Sequence, residues 1–315
     1  MGNQPRRILI IKLGALGDLF LATDAFHAIR RHHPHDRIVI LTRPAYAELA
    51  ADMPWFDEVL KDPSPRLWQL NHLVAFRKIL RGHGFHRVYD LQCNQRTGYY
   101  FWMLWPSQPE WVGHVLGCSH PRPAFVGQSL PTTERLLRQI AAAGVQPAGP
   151  GPISWLTGST AEFHLPERFV VLVPGCSPHR PGKRWPAAKY AKLAHELKLL
   201  RLGVVIVGTT ADTGPVASIT EAFPDAVNLT GRTSFGQLAE VARRARAVIG
   251  NDTGPVHIMA STNTPTLVLM SGESNPVTMR PNGANAVCLQ ANLLDDLPVA
   301  SVLEAFAAIA PIGSV

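Results

Sequence analysis

The chain has 315 residues, 46% hydrophobic and 17% charged, which excludes a disordered chain, a collagen and a coiled coil and gives length enough for two domains. Its net charge is +7, and the excess lies in the first half: residues 1–155 carry 17 Lys and Arg against 11 Asp and Glu, whereas residues 156–315 carry 13 against 12. That asymmetry suits an anionic partner of the first half, whether an acidic membrane surface, a phosphorylated ligand or nucleic acid, or else a merely solvated basic surface; no motif supports nucleic acid.

In chain order, short apolar runs alternate with amphipathic segments. Ile8–Leu13 is apolar except for Lys12, the pattern of a buried parallel strand. A Gly-containing loop leads to a helix over about Asp18–Arg31. Arg37–Thr42 reads as a strand, Pro44 opens a helix, and Glu58–Lys61 is a weaker strand. A helix over about Leu67–Arg81, a strand at Arg87–Leu91 and a helix at Thr133–Ala143, stopped by Gly144, complete the first half. The aromatic run Tyr99–Trp105 is expected to be a core helix, with rings at a membrane surface as the alternative. Gly-Pro-Gly-Pro within Ala148–Pro152 is the candidate linker.

The alternation then restarts. Strands are expected at Phe169–Val173, Val204–Val207, Ala247–Ile249 and Thr266–Leu269. Helices are expected at Ala187–Leu200, Val216–Ala222, Phe235–Ala245, His257–Ser261 and Ser301–Ala310. Each half spells strand–helix–strand, so the expected architecture is α/β: two doubly wound parallel-sheet domains, residues 1–155 and 156–315, facing a cleft.

The four cysteines, Cys93, Cys118, Cys176 and Cys288, fit no CxxC or zinc spacing and read as free thiols of a reducing cytoplasm. No apolar run approaches the ~20 residues of a spanning helix. Lys12 and Asp18 interrupt the stretch after Arg6 and Arg7, against a signal peptide, and Arg6 stands where a myristoylation signal after Met1-Gly2 requires Ser or Thr.

Three strand–loop–helix junctions carry chemistry. In Lys12-Leu-Gly-Ala-Leu-Gly-Asp18, Gly14 and Gly17 permit a tight turn, and Asp18 is either a helix cap or a carboxylate placed as a general base. The segment is neither GxGxxG nor a P-loop. In Val173–Pro186, Lys183 and Arg184 precede a helix with Pro186 near its first position; cations there are unfavourable unless an anion is bound, so the segment reads as a phosphate site or as two solvated basic residues. In Gly250-Asn-Asp-Thr-Gly-Pro-Val-His257, Asp252 or Thr253 is placed to cap a helix. Alternatively, Thr253, Gly254 and the helix N-terminus cradle a pyrophosphate, with His257 reaching in from the first turn.

These segments, with Val88-Tyr-Asp-Leu-Gln92, resemble in order four blocks of glycosyltransferase family 9, the bacterial lipopolysaccharide heptosyltransferases and their relatives: the (S/G)xLGD loop, the D-L-Q element, P-G-x-S…K-x-W-P and D-T-G-x-x-H. The resemblance implies a GT-B fold with the acceptor bound mainly by the first domain and the nucleotide-sugar by the second. It implies inverting, metal-independent transfer of a heptose from ADP-heptose to a lipid-linked anionic glycan, with no cofactor, in the cytoplasm and with peripheral membrane contact left open. Asp18 matches the family's general base and Lys183 its phosphate-binding lysine. Asp252, Thr253, Gly254 and His257 match its nucleotide-sugar contacts, and Ser177 and Asp212 fall near its phosphate loop and ribose carboxylate.

Three rivals remain. An NAD oxidoreductase is disfavoured by the missing fingerprint, and a non-catalytic nucleotide-sugar binder by the intact Asp18. An epimerase of the same fold fits the basic first half less well than a transferase with a phosphorylated acceptor. The sugar, the accepting hydroxyl and the oligomeric state are not legible.

Overall fold

Unbroken apolar runs become central strands because a parallel sheet covered by helices on both faces is buried on both faces. The computed structural model describes residues 5–66, 68–125, 129–177 and 179–311, and the chain divides into two units, Met1–Trp155 and Leu156–Val315.

The first unit runs β1 (Arg7–Ile11), α1 (Leu16–Phe20), α2 (Thr23–His32), β2 (Arg37–Thr42), α3 (Ala47–Ala51), β3 (Glu58–Lys61), α4 (Leu70–Gly82), β4 (Arg87–Asp90), α5 (Gln95–Met103), β5 (Glu110–Gly113), β6 (His120–Pro121) and α6 (Thr132–Ala141). Its sheet order is β3-β2-β1-β4-β5-β6, with every pair parallel. Leu9, Ile11, Val39, Leu41 and Val88 pack one sheet face against Phe76 and Leu80 of α4 and Tyr100 and Phe101 of α5.

The second unit runs β7 (Phe169–Val173), α7 (Ala187–Leu199), β8 (Gly203–Ile206), α8 (Thr213–Ala222), β9 (Val227–Asn228), α9 (Phe235–Arg244), β10 (Ala247–Asn251), α10 (Gly254–Ser261), β11 (Thr266–Met270), β12 (Ala286–Gln290) and α11 (Val299–Ile309). Its order is β12-β11-β10-β7-β8-β9, again all parallel. Both units therefore repeat one doubly wound topology. In each, the chain turns back at its first strand, so a switch point opens between β1 and β4 and between β7 and β10. In such sheets ligands bind beyond the carboxyl ends of the strands at that point.

Local chemistry accounts for the departures from expectation. The helix expected over Asp18–Arg31 breaks between α1 and α2. There the Ala22 N–H bonds the Leu19 carbonyl at 3.2 Å, and the Thr23 hydroxyl takes the Phe20 carbonyl at 2.9 Å. Pro44 opens a single 3₁₀ turn, Pro44–Tyr46, before α3, and Pro186 is the cap preceding α7 rather than its first residue. The helix expected from Leu67 begins at Leu70; Leu67 itself lies outside the described residues, as do Met1 and Gly2. The aromatic run is only half core: Tyr100, Phe101 and Leu104 are buried, whereas Tyr99, Trp102 and Trp105 are exposed. Strands β5, β6, β9 and β12 were not anticipated. β6 and β9 are two residues long, and β12 leaves Val287 exposed, so none has the continuous apolar run that marks a central strand.

Gly250, in β10 beside the second switch point, has no room for a side chain: a Cβ there would lie 2.6 Å from Val173 Cβ and 2.8 Å from Val256 Cγ2. Gly250→Ala is expected to destabilise the protein by about 1–3 kcal/mol through overpacking, read as a lowered urea midpoint with an unchanged slope. An unchanged midpoint would show that β7 and α10 shift without cost.

Candidate active site

Each switch point gathers motif residues distant in sequence. In the first unit, register pairs Ile11 with Asp90, so the loops leaving β1 and β4 emerge side by side. Lys12 is buried, and its Nζ donates to the Leu91 carbonyl at 3.2 Å. The Leu13 N–H donates to Gln92 Oε1 at 2.9 Å, and Arg43 Nε donates to the Leu13 carbonyl at 2.6 Å. The loop before Asp18 is thus tied to the ends of β2 and β4. Burial lowers the Lys12 ammonium from its ordinary value, while the neighbouring charges of Asp18, Cys93 and Asp90 act to raise it.

Asp18 is the third residue of α1 and half-buried. Its Oδ2 accepts the Ala15 N–H at 2.8 Å, so it does close the helix start. That bond uses one carboxylate oxygen and leaves the other for an outside donor. Gly14 is required by this geometry, because a Cβ on it would lie 2.5 Å from both Asp18 Cβ and Asp18 Oδ2. Gly17 is buried in the first turn of α1.

Asp90, Cys93 and His114 each bring one potential metal-ligand atom within 4.8 Å of the others. Gln92 and Cys93 N–H groups occupy Asp90 Oδ1, Asp90 Oδ2 is buried without a hydrogen-bond partner, and burial pushes the Cys93 thiol up to about 12.

In the second unit, register pairs Val173 with Gly250, which brings the loop after β7 against the loop after β10. Asn251 joins them. Its Nδ2 donates to the carbonyls of Pro174 (2.8 Å) and Gly175 (3.2 Å), and its Oδ1 accepts the Trp185 N–H and the Tyr190 hydroxyl, both at 3.1 Å. All four hydrogen-bonding positions of the buried amide are used.

Lys183 ends a 3₁₀ turn, Pro181–Lys183, and is buried, with Nζ 2.7 Å from Asp252 Oδ2. The same oxygen accepts the Ser274 hydroxyl at 2.7 Å, and His257 Nε2 lies 3.4 Å from Asp252 Oδ1. Burial alone would raise the Asp252 carboxyl, but His257, Lys183 and Ser274 outweigh it and hold the group well below the usual carboxylate range. His257 Nδ1 is buried without a partner. Thr253 is the N-cap of α10 by position, yet its side chain makes no cap bond, and Asp252 spends its carboxylate on Lys183 and its neighbours. The capping reading of either residue is therefore corrected. The Gly254 N–H stands in the first turn, where a helix leaves donors unpaired, and Pro255 removes one of them.

Ser177 is exposed. Asp212 is buried, its Oδ2 accepting both the N–H (2.9 Å) and hydroxyl (2.8 Å) of Thr209, while Oδ1 lies 3.7 Å from Arg184 Nη2 and has no hydrogen-bond partner. The structure thus brings Lys183, Asp252 and His257 together and adds Ser274, which sequence reasoning missed because the loop after β11 carries no recognisable motif. Lys12 was visible as the one charge within the apolar run Ile8–Leu13.

Two six-stranded doubly wound units, each with its motif loops at a switch point, define a GT-B fold. Residues 150–299 match the sequence model of Glycosyltransferase family 9 (heptosyltransferase). The chain is 34% identical over 118 residues to lipooligosaccharide heptosyltransferase 2 of Haemophilus influenzae, a match spanning 36% of this chain and 34% of that relative's length. It is 25% identical over 296 residues to lipopolysaccharide heptosyltransferase 2 of Escherichia coli, spanning 86% and 84%. Among solved structures, a glycosyl transferase family 9 protein from Veillonella parvula superimposes with a TM-score of 0.84 at 21% identity, covering 98% of each chain. The Escherichia coli ADP-heptose LPS heptosyltransferase II does so with 0.75 at 22% identity, covering 96% of this chain and 98% of that one. The chain is thus similar to the heptosyltransferases of glycosyltransferase family 9, in sequence over residues 150–299 and in fold over both units.

Breaking a buried ion pair by removing one partner costs about 3–5 kcal/mol, and Asp252→Asn is expected to lose that order of stability at pH 6. Because the native carboxyl titrates below its unfolded value, the contribution is complete above about pH 4 and is lost as the pH falls towards the native value. The gap between wild type and variant should shrink by about 1.4 kcal/mol per pH unit there. Urea unfolding at pH 6 and pH 3 checks it; a gap independent of pH would contradict the pairing.

Proposed function

We propose that the protein transfers a heptose from ADP-heptose to a hydroxyl of a lipopolysaccharide core or another phosphorylated glycan at the cytoplasmic face of the membrane, inverting the anomeric centre without a metal ion. The observation that carries this reading is the second switch point, where a buried lysine that spends one N–H on Asp252 lies beside the start of α10, with an unpartnered acceptor, Asp212 Oδ1, against the loop after β7. The heptosyltransferase relatives and the ADP-heptose enzyme of similar fold support the donor, and the net +6 of residues 1–155 supports an anionic acceptor.

The Asp18 carboxylate takes the proton of the acceptor hydroxyl as its oxygen bonds to C1 of the sugar. The bond from C1 to the phosphate oxygen breaks on the opposite face, and ADP leaves with the electron pair. Charge growing on the diphosphate is met by Lys183, which has two further N–H donors beyond the one on Asp252, and by the Gly254 N–H at the start of α10. Asp252, held anionic, and Ser274 keep the lysine in place; His257 and Thr253 border the same loop. Asp212 Oδ1 is offered to a ribose hydroxyl, and exposed Ser177 lines the phosphate loop.

Mass spectrometry of the lipopolysaccharide core and the other phosphorylated glycans after gene deletion tests the reading: a glycan lacking one heptose supports it, and an unaltered set would overturn it. Asp18→Asn retains an oxygen for the Ala15 N–H, so folding and ADP binding should survive while turnover falls by about 100-fold or more. Near-normal turnover would reduce Asp18 to a cap. Lys183→Ala should weaken ADP binding and turnover more than Arg184→Ala, whose guanidinium stands by Asp212. Calorimetric titration showing equal or reversed effects would move the phosphate site away from Lys183.

A further inference from the structure

Residues 63–109 hold six Arg and Lys but a single acid, and that acid, Asp90, is fully buried. No exposed negative charge therefore arises from this stretch. Within it, α4 and α5 each bury one face in the core of the first unit and turn large apolar side chains outward. α4 buries Phe76 and Leu80, while Leu70 (69% exposed) and Val74 (67%) recur one turn apart on its outer side. Arg77 and Arg81 continue the same row at helical spacing, and exposed Lys78 follows Val74 one turn on. α5 buries Tyr100 and Phe101 and presents Tyr99 and Trp102 (55% exposed), with Trp105 (60%) just beyond its end.

The two helices are neighbours. The Phe76 and Tyr100 rings meet edge-on at 5.0 Å, and the Arg77 guanidinium donates to the carbonyls of Met103 (2.8 Å) and Trp105 (3.0 Å). The Trp105 end of α5 thus borders the Leu70–Arg81 row of α4. Trp68, 73% exposed, stands immediately before α4 with the Arg66 guanidinium 5.3 Å over its ring.

We infer that this α4–α5 face is a docking surface for an anionic lipid bilayer, lying in the plane of the interface. Tryptophan and tyrosine rings favour the boundary between head groups and acyl chains. Arg77, Lys78 and Arg81 on α4 match anionic head groups, whereas Arg87 and Arg96 are taken up by Glu110 and Asp62, the acids that flank the stretch. No helix among the described residues is long and apolar enough to cross a membrane, so contact through this face is superficial. A second copy of the chain is a poor occupant, because a two-fold contact would set one basic face against another. The inference stands independently of the transfer reaction.

Co-sedimentation of the full chain with vesicles tests it. The protein should bind mixed phosphatidylcholine–phosphatidylglycerol vesicles and not phosphatidylcholine alone. The partition coefficient should fall by at least about tenfold in Leu70→Gln/Trp102→Gln, and by more than about 100-fold in Lys78→Glu/Arg81→Glu, which changes the charge by four units at about fivefold per unit near an anionic surface. All four positions are exposed, so both variants should keep the wild-type circular dichroism and Tm. Equal binding to neutral and anionic vesicles, no binding to either, or variants that bind like wild type would overturn the inference. So would a dimer in lipid-free ultracentrifugation that Leu70→Gln/Trp102→Gln abolishes, since the face would then serve a second copy.

Discussion

The second unit is organised around a buried ion pair between Lys183 and Asp252. The two residues are distant in sequence and meet only because β7 and β10 are adjacent and in register. Burying two charges is costly, and such a pair adds little stability over a packed apolar alternative. Its retention therefore points to what the lysine can do. In the proposed reaction, the Lys183 amine, positioned by Asp252 beside the start of α10, is a preorganised donor for a diphosphate.

The first unit applies the same topology to a different task. Its switch point holds Lys12 beneath the loop that ends in Asp18, and strand-end hydrogen bonds through Gln92 and Arg43 hold that loop still. Asp18 spends one oxygen on the helix start, so its position is set by α1 rather than by a flexible loop. Capping and proton abstraction are compatible roles for one carboxylate with two oxygens. Gly14 is what lets the carboxylate fold back onto its own loop.

Much of this was legible because the central strands are continuous apolar runs. Phe169–Val173 and Arg37–Thr42 have the expected bounds, and all three motif loops follow such strands. The edge strands were not legible: two residues of β6 or β9 carry no period, and their pairing is a tertiary fact. The family resemblance named the residues around the second switch point, but not that Asp252 would hold Lys183 or that Ser274 would join them. The aromatic run shows the limit of composition: Tyr100 and Trp102 belong to one run, and only helical phase assigns the first to the core and the second to the surface.

The most direct measurement is a crystal structure of the protein with ADP. The account predicts a phosphate oxygen within hydrogen-bond distance of both Lys183 Nζ and the Gly254 N–H, with Asp252 still bonded to Ser274. ADP bound elsewhere, or bound with Lys183 engaged by Asp252 alone, would contradict it.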